Sequence, residues 1–379
     1  MALFGTDGIR GSAGSADSLL NPNLVNAIGV ATGIVFQEQA QILIGRDTRK
    51  SGLEIEQALI AGLTSVGVNV TLIGVIPTPG LAHLVLTRKA DAAIMITASH
   101  NPASDNGIKI FGSNGQKIAD EIEQEIEQLI ENKSQRKISK EGSVVKDENG
   151  RNDYITYLLS TISKPLNGIT VVVDCAHGSA STYAPEVLKR AGAEVIVIGA
   201  SPDGENINKG CGSTHLDLLA ARVLQSGADL GIAHDGDADR ALLIDGQGKI
   251  VDGDALLALL AISAKKKGEL PGNKIVATVM SNLGFLNKMK DEGITVEVSS
   301  VGDRYVLENM IANDYSLGGE QSGHVIMRDL ANTGDGILTA LQLLQEVVRT
   351  GKTLQELAAT MVRFPQVLIN VKDVKKDKL

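Results

Sequence analysis

The feature that most limits what this chain can fold into is a pattern that recurs three times along it. Each copy is an apolar, β-branched run ending in polar or Gly residues, followed by a helical stretch, a second short strand, another helix and a third strand. The first copy is QILIGRDTR (41–49), a helical stretch through Leu63, VNVTLIGVIPTP (68–79), a helix through Leu86 and ADAAIMITASHNP (90–102). The second runs ITVVVDCAHG (169–178), a helix to Ala191, AEVIVIGASPDG (193–204), LDLLAARVLQSG and ADLGIAHDGDADR (228–240). The third, more degenerate, runs KIVATVMSN (274–282), a helix near Asn287–Asp291, ITVEVSSVGDRY (294–305), a helix over Val306–Ala312 and YSLGGEQSGH (315–324).

Strands this apolar, joined by crossovers of about a dozen residues, belong in parallel sheets covered on both faces. The expected fold is α/β: three consecutive similar α/β domains with mixed, mostly parallel sheets around a shared cleft. Boundaries are expected at 1–151, 152–253 and 254–368, with 369–379 the start of a fourth domain or a linker. The charge-rich stretch 120–152 reads as a solvated helix followed by an exposed connection, and the hairpin-like ALLIDGQGKIVDGD marks the second boundary. In such sheets ligands collect beyond the carboxyl ends of the strands. TASHNP, HDGDADR and GEQSGH each terminate the third strand of their copy, so three like-placed loops can face one cleft.

Composition removes several classes of function. With 36 basic against 45 acidic residues the net charge is −9, and no Lys/Arg run precedes the final KDVKKDKL, so nucleic acid is not an expected partner. No apolar run approaches the roughly 20 residues of a membrane span, so no membrane partner is expected either. MALFGTDGIRG lacks the basic and apolar regions of a secretory signal, and a cytoplasmic location is expected. Cys175 and Cys211 are too few for a disulfide framework and read as structural thiols.

The chemistry sits in the loops. Asp235, Asp237 and Asp239 occupy every second position, so three hard carboxylate donors can converge on one Mg²⁺. An EF-hand is excluded, because the Gly and Glu it needs are replaced by Arg240 and Gly246. The competing reading is an ordinary Asp/Gly turn. Arg240 is placed either to hold a phosphate oxygen or to pair within its own loop. Ser99 precedes His100-Asn101-Pro102, whose proline restrains Asn101, so its hydroxyl is expected at a fixed, exposed turn. Taken alone, such a serine is as readily a turn residue as a nucleophile, and no G-x-S-x-G elbow surrounds it. Lys109 is a solvated lysine, a phosphate neutraliser, or, if desolvation lowers its pKa, a proton-transfer group. The glycines of FGTDGIRGSAG (4–14) bring loop amides and Arg10 within reach of a phosphate, though no P-loop is present. Gly302-Asp303-Arg304 and Gly319–His324 offer groups suited to sugar hydroxyls, and His324 is either an acid/base or a structural histidine.

Taken together and in this order, FGTDGIRG, TASHNP, DGDADR and GEQSGH resemble the α-D-phosphohexomutase superfamily over essentially the whole chain. The opening and GEQSGH are most similar to bacterial members that act on glucosamine phosphates. The resemblance implies interconversion of glucosamine 6-phosphate and glucosamine 1-phosphate through a phosphoserine and a bisphosphorylated sugar. It implies that Ser99 carries the phosphoryl group and, with Asp235, Asp237 and Asp239, holds one Mg²⁺. Arg10, His100, Lys109 and Arg240 would surround that group, and Arg304, Glu320, Ser322 and His324 would bind the hexosamine phosphate. A bisphosphorylated hexose as activator and a homodimer through the first domain are also implied. Phosphomannomutase/phosphoglucomutase activity, a sugar-phosphate-binding fragment without turnover, and a phosphatase with an aspartate nucleophile are the alternatives. Family members continue into a fourth domain with an R-x-S-G-T-x-P phosphate loop, whereas this sequence ends at Leu379 and Phe364–Val371 resembles only a strand or linker toward it. The expectation is a chain that binds Mg²⁺ and carries phosphate on Ser99 but turns over poorly.

Overall fold

Val, Ile and Leu crowd QILIG, TVVVD and KIVAT, and each of these runs becomes an interior strand of its own sheet. The computed structural model describes residues 3–5, 7–15, 17–359 and 361–367, so the strand or linker expected over 369–379 lies outside the described residues. The first unit holds β1 (Ile9–Ser12), α1 (Pro22–Phe36), β2 (Gln41–Arg46), α2 (Gly52–Ser65), β3 (Asn69–Val75), α3 (Thr78–Arg88), β4 (Ala92–Ile96), β5 (Asp105–Gly112), α4 (Asp120–Glu131), β6 (Val144–Lys146) and α5 (Gly150–Ser160). The second holds β7 (Thr170–Asp174), α6 (Ala184–Arg190), β8 (Glu194–Ile198), α7 (Asp217–Ser226), β9 (Leu230–His234), β10 (Ala241–Asp245) and β11 (Ile250–Val251). The third holds α8 (Gly253–Lys267), β12 (Lys274–Thr278), α9 (Leu283–Asp291), β13 (Thr295–Ser299), α10 (Asp303–Asn313), β14 (Leu317–Gly319), β15 (Val325–Met327), α11 (Gly336–Thr350) and α12 (Leu354–Ala358).

The three sheets share one kernel. Their orders contain β3-β2-β4-β5, β8-β7-β9-β10 and β13-β12-β14-β15: second strand, first strand, third strand, then a closing strand. The first three pair in parallel and the fourth is antiparallel in every case. The α/β class with mixed, mostly parallel sheets is as expected. The antiparallel closers were not part of the repeat as read, because DNGIKIF, ALLID and VIM follow the polar loops as short returns.

Side-chain alternation explains the layering. Ile42 and Ile44 of β2 face a core with Val25, Leu59 and Ile126 from α1, α2 and α4, while Leu43 faces the other side. Likewise Val172 and Val276 point to small outer cores of their own units, and Val171, Val173, Ile275 and Ala277 join Leu43 in one continuous core. One face of every sheet therefore contributes to a common interior that spans all three units.

The connection after α4 differs from its expectation. Only Ile126 of α4 is buried, as a solvated helix requires, but Val144–Lys146 then pairs in parallel with β3 at the sheet edge. All three residues of β6 have exposed side chains, so backbone pairing alone makes the strand and no hydrophobic pattern announces it. Next, α5 buries Tyr154 and Leu158 in the common core, and Tyr154 Oη donates to Asp335 Oδ2 at 2.7 Å. Tyr157 Oη donates to the Leu330 carbonyl at 2.5 Å, so this helix is fastened to the third unit.

Candidate active site

The loops that follow the third strands of the first and second units meet. Ser99 lies just beyond β4 with φ of 49°, a left-handed conformation that costs a non-glycine residue about 1–3 kcal/mol. Its amide donates to Thr97 Oγ1 at 2.9 Å, and its Oγ donates to Asp235 Oδ2 at 2.6 Å. His100 Nδ1 stands 3.4 Å from the same Oγ. Gly236 makes the approach possible, because a Cβ there would come within 2.5 Å of the Ser99 carbonyl oxygen. The sequence placed the serine at an exposed turn, but Ser99 is 0% exposed. The aspartate loop, supplied by a different unit, covers it.

Asp235, Asp237 and Asp239 are all buried, and each offers an oxygen within 4.8 Å of the others. Their surroundings fit a cation. Oδ1 of Asp237 and Oδ1 of Asp239 are buried without a hydrogen-bond partner, a costly state for a carboxylate unless a metal supplies the missing contact. Burial first, then the like charges of Asp239 and Asp237, push the Asp235 carboxyl far above its ordinary range. An all-carboxylate oxygen set suits a hard divalent ion rather than a soft one.

Lys109 on β5 points into this cluster with 1% exposure. Its Nζ lies 3.0 Å from Asp237 Oδ2, 3.2 Å from Asp7 Oδ2 and 3.6 Å from Asp239 Oδ2. The condition on which Lys109 would be a proton-transfer group, a pKa lowered by desolvation, is not met. Burial acts in that direction, but Asp237, Asp7 and Asp239 outweigh it and hold the ammonium above the usual lysine range. Asp7 is in turn held well below the carboxylate range: burial alone would raise it, and Lys109, Lys117 and Arg10 prevail. Asp7 pairs with Arg10 and with Lys117, and Lys117 reaches Asp303 Oδ2 at 2.7 Å on α10. A chain of alternating charges thus links the opening loop to the third unit.

In that third unit, His324 is buried, with Nδ1 3.7 Å from Asp239 Oδ2 and Nε2 3.7 Å from Asp303 Oδ2. Burial opposes a charged ring, yet Asp239, Asp303 and Glu320 raise its pKa to about 9. Nε2 also stands 3.1 Å from the Gly334 amide, which donates only to the neutral ring. A cation among the aspartates would cancel part of their field and favour that neutral form. Glu320 Oε1 accepts from the Gly302 amide at 3.0 Å, and Glu320 and Ser322 are half-buried beside it. Arg240 Nε is buried, 3.7 Å from Asp239 Oδ1 and without a hydrogen-bond partner, so that donor is open to another anion. Burial first, then Arg240 and Arg10, depress the pKa of His100.

Of the residues singled out in sequence, Arg10, Ser99, His100, Lys109, Asp235, Asp237, Asp239, Arg240 and His324 converge. Arg304 turns away: it pairs with Asp120 and with Glu123 at 3.6 Å, tying α10 to α4, and with Glu308 of its own helix at 3.2 Å. Sequence reasoning missed Thr78, whose hydroxyl donates to Asp237 Oδ2 at 2.6 Å and whose amide donates to the Asp237 carbonyl at 2.9 Å. It also missed Lys117. Thr78 had one signal, its place in a Pro-Thr-Pro turn opening α3 beyond a second strand; Lys117 had none.

Three phosphoglucomutase/phosphomannomutase α/β/α domain models match this chain, domain I over residues 1–137, domain II over 152–248 and domain III over 252–364. The chain belongs to this family of phosphohexomutases, enzymes of the isomerase class. It is 49% identical to a phosphoglucosamine mutase of Paenarthrobacter aurescens over 382 residues, covering 99% of this chain and 84% of that one. It is 50% identical to a phosphoglucosamine mutase of Streptomyces coelicolor over 390 residues, covering 100% of this chain and 86% of the relative. Among solved structures, a phosphoglucomutase/phosphomannomutase family protein of Burkholderia thailandensis superposes with a TM-score of 0.83 at 26% identity, covering 97% of this chain and 80% of that one. Among the described residues, no helix is long and apolar enough to cross a membrane.

Proposed function

We propose that this chain interconverts glucosamine 6-phosphate and glucosamine 1-phosphate through a phosphorylated Ser99 and a bisphosphorylated sugar. The observation that carries the reading is the Ser99 hydroxyl 2.6 Å from Asp235 Oδ2, at the edge of a buried carboxylate cluster with unpaired oxygens. The names of the relatives at 49–50% identity support the choice of sugar. Asp235, Asp237 and Asp239 would hold Mg²⁺ together with an oxygen of the phosphorylated serine, and the ion would withdraw charge from the transferring group.

This chain's residues account for the rest. In the first half-reaction a sugar hydroxyl oxygen attacks phosphorus, the bond from phosphorus to Ser99 Oγ breaks, and the hydroxyl proton passes to a base. The bisphosphorylated sugar then reorients, Ser99 Oγ attacks its other phosphorus, the bond from that phosphorus to the sugar oxygen breaks, and the base returns its proton to that oxygen as the phosphoryl group goes back to the serine. Arg10 and Arg240 face the transferring oxygens with fork donors, and Lys109 keeps Asp7, Asp237 and Asp239 compensated while they do so. His100, biased toward its neutral form, accepts or returns a proton near Ser99 Oγ at 3.4 Å. Glu320, Ser322 and His324 receive the sugar. A bisphosphorylated hexose that escapes is the species able to rephosphorylate the enzyme, which makes it the activator.

Turnover of glucosamine, glucose and mannose 6-phosphates, compared side by side with Mg²⁺ and glucose 1,6-bisphosphate as primer, tests the proposal. Glucosamine 6-phosphate is expected to have the highest kcat/KM. A higher value for glucose or mannose would overturn the sugar assignment. Binding of all three without turnover of any would overturn the reaction.

A further inference from the structure

Two side chains outside the motif loops, one from each of the first two units, grip the backbone of the Ser99 turn. Arg49, at the end of the first strand's loop, is 1% exposed. A guanidinium carries five N–H donors, and every nitrogen here has partners. Nε donates to Asp47 Oδ2 at 2.9 Å, Nη1 to the carbonyls of Pro102 and of Asp105, the latter at 2.9 Å, and Nη2 to those of Ser99 at 3.0 Å and Asn101 at 2.8 Å. From the second unit, Asn208 gives its side-chain amide to the same two carbonyls, Ser99 at 2.8 Å and Asn101 at 3.0 Å. Asn208 is 7% exposed, and its own backbone is fixed by a bond to the Ala176 carbonyl at 2.9 Å. A serine in the left-handed region persists only where its surroundings over-determine it, and these two donors do so.

We propose that Asn208, backed by Arg49, is a positioning residue for phosphoryl transfer: it registers the Ser99 turn of one unit on the aspartate loop of the next and so aims Ser99 Oγ. This rests on Ser99 being the phosphoryl carrier. Holding the units together does not depend on Asn208, because Thr48 Oγ1 donates to the His177 carbonyl at 2.6 Å and the Lys50 amide to the Gly204 carbonyl at 3.0 Å. Nor does its loss orphan a buried carbonyl, since Arg49 Nη2 still caps both. What it removes are the two bonds from a side chain of the second unit to the backbone of the Ser99 turn.

The test measures how fast saturating glucose 1,6-bisphosphate and Mg²⁺ add phosphate to Ser99 in the full chain, by quenched intact-mass analysis. Asn208→Ala and the similarly sized Asn208→Leu are compared with wild type and with Leu219→Ala, a core change in the second unit. The Asn208 variants are expected to lose on the order of 10²-fold in rate, the cost of displacing a reacting group by about 1 Å. Their half-saturating bisphosphate concentration should stay within about threefold of wild type, since ground-state binding is untouched. Leu219→Ala should lower the thermal midpoint and leave the rate unchanged. A wild-type rate in both Asn208 variants, or a rate loss that merely follows the thermal midpoint across all three variants, overturns the inference. Absence of any Ser99 phosphate in wild type overturns the reading beneath it and the inference with it.

Discussion

Lys109→Met is the perturbation whose consequences the structure specifies most fully. The ammonium is 1% exposed and sits within 3.6 Å of three carboxylates. At an effective dielectric of about 20, each contact is worth roughly 5 kcal/mol of Coulomb attraction, against several kcal/mol for desolvating the ion. Methionine fills nearly the same space, so the loss is electrostatic rather than a cavity. Removing one member of a buried ion pair typically costs about 3–5 kcal/mol, because its partners are left uncompensated. In EDTA, urea unfolding followed by circular dichroism should therefore show a deficit of that size. Mg²⁺ reverses the sign of the effect: the aspartate cluster is one charge more negative in the variant, so it should bind Mg²⁺ on the order of tenfold more tightly. Saturating Mg²⁺ should then return part of the lost stability. Phosphoryl transfer should remain impaired even so, since Asp7 and the incoming phosphate lose their compensating cation. A variant with wild-type stability in EDTA and unchanged Mg²⁺ affinity by calorimetry would refute the reasoning.

Other consequences are narrower. Thr78→Val deletes the hydroxyl that donates to Asp237 Oδ2, and a hydrogen bond to a charged group is worth about 1.5–3 kcal/mol, so metal-free stability should fall by that amount in denaturant titration. Asp254 is raised from 3.8 to about 6, by burial first and by Asp252, against the bond it accepts from the Asn282 amide at 2.6 Å. Its folded-state pKa exceeds the unfolded one, so the native state holds the extra proton: stability is greatest below pH 4 and declines through about pH 6, by about 3 kcal/mol in all. Asp254→Asn keeps an acceptor for the Asn282 amide and should remove that slope. Identical pH profiles for the variant and wild type between pH 4 and 7 would contradict the assignment.

The repeat was legible because burial on both faces forces near-continuous apolar strands, and QILIG, TVVVD and KIVAT could hardly be read otherwise. Their like-placed polar loops follow from topology, which is why Ser99 and the three aspartates could be placed together before any contact was known. What the sequence did not carry is what other units bring. Ser99 looked exposed because nothing in TASHNP reveals that residues 235–239 of another sheet will cover it. Lys109 looked like a candidate for a lowered pKa because desolvation is readable from the apolar run NGIKIF, whereas Asp7 and Asp237 beside it are not. Arg304 belonged to a polar cluster in sequence, but acidic Asp120 and Glu123 across the interface drew it away. Strand β6 escaped notice since its order resides in backbone pairing alone.

Ser99 as the phosphoryl carrier is the point on which every other role at this site depends. Intact-mass and peptide mapping after exposure to glucose 1,6-bisphosphate and Mg²⁺ should find one phosphate on Ser99, stable to hydroxylamine, chased off by glucosamine 6-phosphate and absent in Ser99→Ala. A hydroxylamine-labile phosphate on Asp235, Asp237 or Asp239, with Ser99→Ala retaining full transfer, would contradict it.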